Sequence, residues 1–423
     1  MLKDAVVVGG GTGALRAAAV LSSRGRKVTL IFQHAMPDLA SIPEDRGVWV
    51  QEPVGSTLGE ARSVPWRRGV LAGGRQLGLP LGVPGLLRLI PAAQLPKAGA
   101  AWGRTRGAVE LARLIGGGHE QRTYARWLGG RFGEPIYERL HAPYATRRFG
   151  STDELSCNVA RLVHGVARPH TAWAPAAGHP EMARALRAGL TVREGVGAVR
   201  LSPGVVECGS DSFEGELFVD LRPVDVVAAL GVPASDALAR DAALLGALHQ
   251  LQVRVRVDND GVARFEELHA LDAPFFRVTR PAGLPGEDSG TLIAHYSCSE
   301  SDPLWRATDS ELLASTAKAM NDAGLSGAQA DGVVVRHPYA LPAWQSVHLS
   351  RYRRYLLEME LRGIVPVGRL GTHSLADAAE ESAYLFAVTG EERPSLRACH
   401  REHLEPPVLD PEERVPLRRF VER

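Results

Sequence analysis

Runs of apolar residues alternate with glycine-rich and helical segments at the start of the chain. Ala5 to Val8 is continuously apolar, a pattern typical of a strand that is buried on both faces of a parallel sheet. A glycine-rich segment follows, and Leu15 to Ser23 has the alanine and leucine content of a helix. Lys27 to Ile31 is the next strand-like run. Strand, turn, helix and strand in this order within about 30 residues predict a βαβ unit of a parallel sheet.

The turn of this unit carries a glycine pattern. Gly9, Gly11 and Ala14 fit G-x-G-x-x-A, in which the first glycine allows a tight turn and the second lets the backbone approach a pyrophosphate. The small third residue lets the helix pack closely on the strand, and the helix N-terminus attracts an anion. We therefore predict a dinucleotide site here, although a glycine-rich turn that binds nothing stays an alternative. The predicted contact residues are Gly9, Gly10, Gly11, Thr12, Gly13 and Ala14.

The end of the second predicted strand departs from the usual pattern. A dinucleotide site normally has Asp or Glu there, because a carboxylate accepts hydrogen bonds from the ribose hydroxyls. Here the strand continues into Phe32, Gln33 and His34, and the next carboxylate is Asp38. Two arrangements are open: Gln33 bonds a ribose hydroxyl through its amide oxygen, or the adenosine is held otherwise. We predict that binding is weaker than it would be with a carboxylate.

Strand and helix patterns alternate again further along the chain. Leu217 to Leu221 and Gly363 to Gly368 resemble buried strands of the first domain, whereas Ala98 to Leu140 is helical and His249 to Ser297 contains several strands. This order predicts an α/β protein, a Rossmann-like domain with an inserted helical and β-sheet substrate domain. The predicted ranges are 1–75, 171–245 and 345–390 for the dinucleotide-binding domain, 76–170 and 246–344 for the substrate domain, and 391–423 for a C-terminal arm.

Composition and charge exclude several classes of partner. The 423 residues are enough for two domains, and a hydrophobic content of 45% with 23% charged residues is that of an ordinary globular protein. A net charge of +1 gives no reason to expect nucleic acid, and no apolar run reaches the length of a transmembrane helix. The four cysteines are far apart, which favours reduced thiols in a cytoplasmic protein without a metal site. We expect a small-molecule substrate, with a protein partner or a second copy of the chain as a further option.

Three separated stretches together resemble one flavoprotein superfamily. The first is the glycine pattern, and the second is Phe132 to Arg161, which contains Phe-Gly, Pro, Phe-Gly and Glu-Leu-Ser in that order. The third is Gly368 to Thr372, with Asp377 ahead of a predicted helix. The resemblance is to the superfamily of amine oxidases, protoporphyrinogen oxidases, phytoene-type desaturases and UDP-galactopyranose mutases. The motifs span nearly the entire chain.

This resemblance implies FAD as the cofactor and an FAD-binding domain of the glutathione-reductase type, and it assigns further residues to the cofactor. It implies that Val196 contacts the adenine through its backbone, and that Gly368, Arg369, Asp377 and Ala378 lie at the flavin and the pyrophosphate. The flavin performs the chemistry in such enzymes, so no acid–base pair is required and the catalytic residues stay unidentified. The candidates for substrate binding are Arg277, Tyr296, Tyr339 and Trp344, each of which has a structural role as its alternative.

Three functions are compatible with these patterns. The first is an FAD-dependent oxidoreductase, of the oxidase, dehydrogenase or desaturase type, that transfers a hydride from a small and largely apolar metabolite to flavin. The second is a mutase-like flavoenzyme without net redox change, for which Arg277 and Arg280 are candidates to bind a diphosphate. The third is a non-catalytic subunit that has kept the fold but has lost or weakened FAD binding.

Overall fold

The computed structural model describes most of the chain. Its described residues are 4–33, 61–79, 81, 83–101, 103–104, 123–157, 159, 171–175, 184, 187–258, 263–280, 290–345, 348–374, 378–390 and 394–404.

The strands, in chain order, are β1 (Ala5–Gly9), β2 (Val28–Ile31), β3 (Ala61–Pro65), β4 (Arg68–Ala72), β5 (Arg75–Gly78), β6 (Thr171–Pro175), β7 (Thr191–Arg193), β8 (Val199–Ser202), β9 (Val205–Cys208), β10 (Asp211–Glu214), β11 (Glu216–Asp220), β12 (Ala247–Val257), β13 (Glu267–Ala270), β14 (Arg277–Thr279), β15 (Thr291–Cys298), β16 (Ala328–Pro342) and β17 (Ile364–Pro366).

The helices are α1 (Thr12–Ser23), α2 (Val83–Leu89), α3 (Tyr124–Phe132), α4 (Glu134–Ile136), α5 (Ala142–Phe149), α6 (Pro223–Ala229), α7 (Asp236–Leu244), α8 (Pro303–Arg306), α9 (Asp309–Asp322), α10 (His348–Leu361), α11 (Gly368–Gly371), α12 (Ala378–Val388) and α13 (Leu396–His403). A 3₁₀ turn covers Ala92–Gln94, and a π-helical turn, Tyr137–His141, joins α4 to α5.

A five-stranded parallel sheet collects strands from distant parts of the chain. Its order is β17-β11-β1-β2-β7, and every neighbouring pair is parallel. The central strands are buried along their length, since helices α1, α10, α12 and α13 contribute to the same apolar core. The α/β prediction with a Rossmann-like sheet is confirmed. Within this sheet Gly9 pairs with Asp220, which brings the end of β11 against the glycine-rich turn.

The second large sheet has seven strands. Its order is β16-β12-β15-β14-β13-β4-β5, antiparallel except for the β13–β4 pair. Successive side chains of a strand point to opposite faces, and one face of this sheet packs its apolar residues against α9. Two small antiparallel sheets, β10-β9-β8 and β3-β6, complete the described strands.

Two segments differ in placement from the predicted domain division. The hairpin β4–β5 belongs to the seven-stranded sheet, because β4 pairs with β13, although residues 68–75 were assigned to the dinucleotide-binding domain. The predicted C-terminal arm contains α13, whose Leu396 and Cys399 are buried in the core of the parallel sheet. The rest of the division stays a prediction. Among the described residues, no helix combines the length and apolar character needed to cross a membrane.

Candidate functional site

The glycine-rich loop, residues 9–13, lies at the carboxyl edge of the parallel sheet. Helix α1 begins at Thr12, and its N-cap residue Gly11 has no side chain to cap the first turn. Gly10 and Gly11 are exposed, and a Cβ on Gly10 would meet only Phe32, at 4.0 Å. The positive end of the helix dipole therefore lies at an exposed part of the loop.

The closing segment, residues 368–374, lies directly against this loop. A Cβ on Gly13 would overlap the Cα of Gly368, so the two backbones approach as closely as glycine allows. Gly368 itself has φ +67°, a left-handed conformation that favours glycine. Two motifs from opposite ends of the chain thus meet at one edge, which agrees with their shared assignment to the pyrophosphate and the flavin.

Asp220 lies between these two segments. Its Oδ2 accepts a hydrogen bond from the backbone N–H of Ala14, the third residue of α1, at 3.1 Å. A Cβ on Gly11 or on Gly13 would come within 2.8 or 2.9 Å of the same carboxylate oxygen. The side chain is buried, and burial raises its pKa to about 7. The sequence analysis missed this residue, although an acidic residue at the end of the buried run of β11 was a signal.

Two further buried charges act on Asp220. Glu381 of α12 also raises the pKa of Asp220, whereas Arg16 of α1 lowers it, together with the N–H groups of Ala14 and Gly371. Arg16 and Glu381 form an ion pair of 2.7 Å between Nη2 and Oε2, and both side chains are buried. The loop therefore rests on a charged network, and not on apolar packing alone.

Gln33 and Val196 lie together beside the loop, at the end of β2. The backbone N–H of Val196 donates to the Phe32 carbonyl at 3.3 Å, and that of Gly197 donates to the Gln33 carbonyl at 3.3 Å. Both residues are half-buried. A carboxylate that the sequence analysis missed stands near this edge: Glu194 follows β7, the neighbour of β2, and pairs with Arg187.

The closing segment continues into a buried aromatic and histidine cluster. His373 has φ +46°, is buried, and has a pKa far below its ordinary value because of burial and of the nearby His348 and His400. Its carbonyl accepts a hydrogen bond from Trp344 Nε1 at 2.7 Å, and the two rings stack with centroids 6.3 Å apart. Trp344, predicted to bind substrate, therefore fixes the closing segment. Arg369 is half-buried.

For three predicted cofactor residues the structure does not describe the side chain. Thr12 begins α1 and Ala378 begins α12, but their side chains are not among the described ones. Asp377 lies outside the described residues.

The seven-stranded sheet turns a row of polar side chains away from α9. His269, Arg277, His295 and Gln252 face one another in register across β13, β14, β15 and β12. We name this surface the polar face and define it by Gln250, Gln252, Glu267, His269, Arg277, Thr279 and His295. All seven side chains are buried, and Arg277 has an exposed fraction of 0%. Burial of so many polar groups is costly unless they are paired or functional.

Hydrogen bonds join side chains of the polar face into two groups, one around Glu267 and one around His295. Glu267 accepts from Trp66 Nε1 at 3.0 Å and lies 2.7 Å from His269 Nε2. His295 Nε2 lies 2.8 Å from Thr279 Oγ1, and its Nδ1 lies 3.4 Å from Arg277 Nη2. These bonds hold Glu267 and His295 in fixed positions on the sheet.

Helix α5 covers the polar face. Tyr144 stacks on His269 with ring centroids 4.3 Å apart, and its hydroxyl accepts a hydrogen bond from Arg148 at 2.6 Å. Of the residues in this region, only Arg277 was predicted as a site residue; Glu267, His269, Tyr144 and Arg148 were not.

Two predicted substrate residues lie elsewhere. Tyr296 is on the opposite face from its neighbour His295, in the apolar core, with its hydroxyl 2.8 Å from Thr316 Oγ1. This placement corrects the grouping of Tyr296 with Arg277, because adjacent strand residues point to opposite faces. Tyr339 has φ +54° and its ring lies 3.5 Å from the Arg222 guanidinium, apart from the polar face.

Solved structures with the same fold include three named flavoenzyme-like proteins. A reduced UDP-galactopyranose mutase has a TM-score of 0.71 at 12% identity, over 96% of this chain and 100% of that chain. A putrescine oxidase variant with redesigned cofactor binding has a TM-score of 0.55 at 12% identity, over 84% and 90%. Cyclohexylamine oxidase from Brevibacterium oxydans IH-35A has a TM-score of 0.53 at 14% identity, over 84% and 91%.

The chain has the fold of the amine oxidase-like flavoproteins. This likeness confirms the fold that the three motifs predicted. No protein-family model matches the chain, and no curated protein matches its sequence.

The loop of this flavoprotein fold suits the ADP half of FAD. Gly10 and Gly11 expose their backbone at the start of α1, where a pyrophosphate would be attracted, and Gln33 and Val196 lie beside the loop where an adenosine would extend. The backbone therefore fits the group. The exception is Asp220, a carboxylate where the group itself is anionic.

Proposed function

We propose that the protein is an FAD-dependent oxidoreductase whose substrate binds against the polar face. The contact between Gly13 and Gly368 carries this proposal, since it joins the two motifs that the resemblance assigns to the cofactor. FAD, when bound, would accept a hydride from the substrate. Residues 10–13 would hold the pyrophosphate, Gln33 and Val196 the adenosine, and the closing segment with Arg369 the flavin.

The polar face supports a substrate that differs from the largely apolar one expected from the sequence. A guanidinium such as that of Arg277 binds carboxylate or phosphate through two parallel hydrogen bonds. Glu267 accepts hydrogen bonds, so a hydroxyl or an ammonium group suits it. Phe276 and Trp344 lie in the apolar cluster beside the polar face, and Trp344 reaches the closing segment. We propose a small metabolite with an anionic or hydroxylated group and an apolar remainder.

The first experiment asks whether the protein holds FAD and passes electrons to it. The purified chain is saturated with FAD, and its absorbance is followed anaerobically while amines, amino acids and hydroxy acids are added in turn. Bleaching of the flavin without an external donor supports the oxidoreductase. Protein that stays colourless with excess FAD contradicts it and favours the non-catalytic subunit.

Two variants test the proposed cofactor site and the proposed substrate site separately. Gly11→Val should lose FAD, because its side chain occupies the space of the pyrophosphate. Arg277→Met should keep FAD but lose bleaching by an anionic substrate. If Arg277→Met bleaches as fast as the unchanged protein, the substrate does not bind at the polar face.

A mutase-like reaction without net redox change is the second candidate. Its support is the match over 100% of the mutase chain, together with buried Arg277. Against it, Arg280 pairs with Glu266 at 3.1 Å, so the two arginines do not form one diphosphate site. The test is to incubate chemically reduced holoprotein with UDP-galactopyranose and analyse the products. An isomer of equal mass, formed while the flavin stays reduced, would favour the mutase.

A further inference from the structure

The glycine-rich loop already contains an anion supplied by the chain. The carboxylate of Asp220 accepts the N–H of Ala14 in the first turn of α1, and the backbone N–H of Gly371 in the closing segment also lowers the pKa of this carboxylate. Side chains at Gly11, Gly13 or Gly368 would collide with this carboxylate. Asp220 thus lies in the group of backbone donors toward which a phosphate is drawn at a helix N-terminus.

We infer that binding of FAD at this loop is coupled to the uptake of one proton by Asp220, so that FAD affinity decreases as the pH rises. The inference rests on the proposed FAD binding. Its basis is geometric: an ionised carboxylate and a pyrophosphate would share one buried edge, where like charges repel strongly. Protonation removes this repulsion and leaves the hydrogen bonds of the loop available.

The surroundings of Asp220 place this protonation near neutral pH. Burial raises its pKa to about 7, and Glu381 of α12 adds to the increase, while Ala14 N–H, Arg16 of α1 and Gly371 N–H oppose it. A bound pyrophosphate adds negative charge and raises this pKa further. Below pH 7 the free protein already carries the proton, and affinity should be constant. Above pH 7 the proton must be taken up, and affinity should fall by up to about tenfold per pH unit.

The experiment measures the dissociation constant of FAD on apoprotein between pH 6 and pH 8.5, by quenching of flavin fluorescence. The variant is Asp220→Asn, which keeps the size and the acceptor oxygen of the side chain but cannot ionise. Asp241→Asn is the matched control, because Asp241 lies on α7 and pairs with Arg354 of α10, outside the glycine-rich loop and the closing segment. We expect more than about tenfold weaker binding at pH 8.5 than at pH 6 for the unchanged protein and for the control. Asp220→Asn should bind equally at both pH values.

Calorimetry on the unchanged protein gives a second readout that needs no variant. Titration at pH 8 in two buffers of different ionisation enthalpy should report the uptake of close to one proton per FAD bound. FAD binding with constant affinity and no proton uptake would overturn the coupling while leaving the proposed cofactor intact. An equal pH slope in Asp220→Asn would also overturn it, since another group would then take the proton. Absence of FAD binding at pH 6 in both proteins would refute the cofactor, and the coupling with it.

Discussion

The glycine-rich loop and the polar face are the two candidate binding regions of the protein, and they are built in opposite ways. The loop consists mainly of exposed or closely packed glycine backbone, and its N-cap residue Gly11 has no side chain. The polar face works through side chains that meet across four strands. In the loop any added side chain causes a clash at most positions, whereas the polar face depends on the chemistry of each side chain. Substitutions should therefore damage the two regions through different properties of the protein.

The largest effect is expected at the polar face. Arg277→Met removes a fully buried charge and leaves its partners unpaired, which should lower the free energy of unfolding by about 3–5 kcal/mol. Arg280→Met is the matched control three positions away, because Arg280 is only half-buried and Glu266 keeps Arg67 as a second partner. The control should cost about 1 kcal/mol or less. Urea denaturation measures the free energy of unfolding of both variants. Equal losses would mean that the bonds of Arg277 in the polar face stabilise the protein no more than the ion pair of Arg280 does.

The contrast also explains how much the sequence could predict. The βαβ unit is local, so the pattern of Ala5 to Ile31 was sufficient for β1, α1 and β2. The contact of Gly368 with Gly13 was reached through the resemblance, because no local pattern joins positions so far apart. Asp220 was missed since its role depends on the register that pairs it with Gly9. The sequence shows an acidic residue at the end of a strand, but it does not show which strand lies next to that one.

The polar face was less predictable because its members come from different strands. Arg277 was named, yet Glu267 and His269 become its neighbours only through the pairing of β13 with β14. Tyr296 was a different kind of error. Strand alternation alone places it opposite His295, so the period of two was enough to separate them. Helix α5 covers the site from the helical insertion, and no sequence pattern indicated that packing.

The second prediction concerns stability against pH at Asp220. The pKa in the folded state is about 7, against an ordinary value of 3.8, so the folded protein keeps a proton that the unfolded chain releases. Stability from this group is complete below pH 4 and is lost as the pH rises to 7. Asparagine cannot ionise, so the Asp220→Asn protein does not lose this stability as the pH rises. Its free energy of unfolding at pH 8 should therefore exceed that of the unchanged protein by about 4 kcal/mol. Urea denaturation of apoprotein at pH 4.5 and pH 8 tests this; a constant difference between the two proteins would contradict it.

The third prediction tests the backbone character of the loop. Gly11→Val places a side chain 2.8 Å from Asp220 Oδ2 and in the space of the pyrophosphate, which should weaken FAD binding by about 100-fold or more. Gly129→Ala in α3 is the control, since its Cβ would meet nothing within 4 Å. Equilibrium dialysis with FAD compares them. Full FAD occupancy in Gly11→Val would move the dinucleotide site away from this loop.

The smallest effect is expected at the ribose. Hydrogen bonds from hydroxyls to a carboxylate are charge-assisted and are worth about 1.5–3 kcal/mol, compared with about 1 kcal/mol for a neutral amide. Phe32 is buried in the core, so Gln33 is the position that faces the edge.

Gln33→Glu should tighten FAD about fivefold to tenfold, the gain being limited by Glu194 at the neighbouring strand end. Gln33→Met is the matched control, which removes the acceptor and should weaken binding about threefold to fivefold. Opposite shifts in the fluorescence-derived dissociation constant would place the ribose at Gln33. If neither variant changes the dissociation constant, the Gln33 side chain does not hold the adenosine. The adenosine would then be bound by backbone groups, as the pyrophosphate is expected to be, in contrast to a ligand at the polar face.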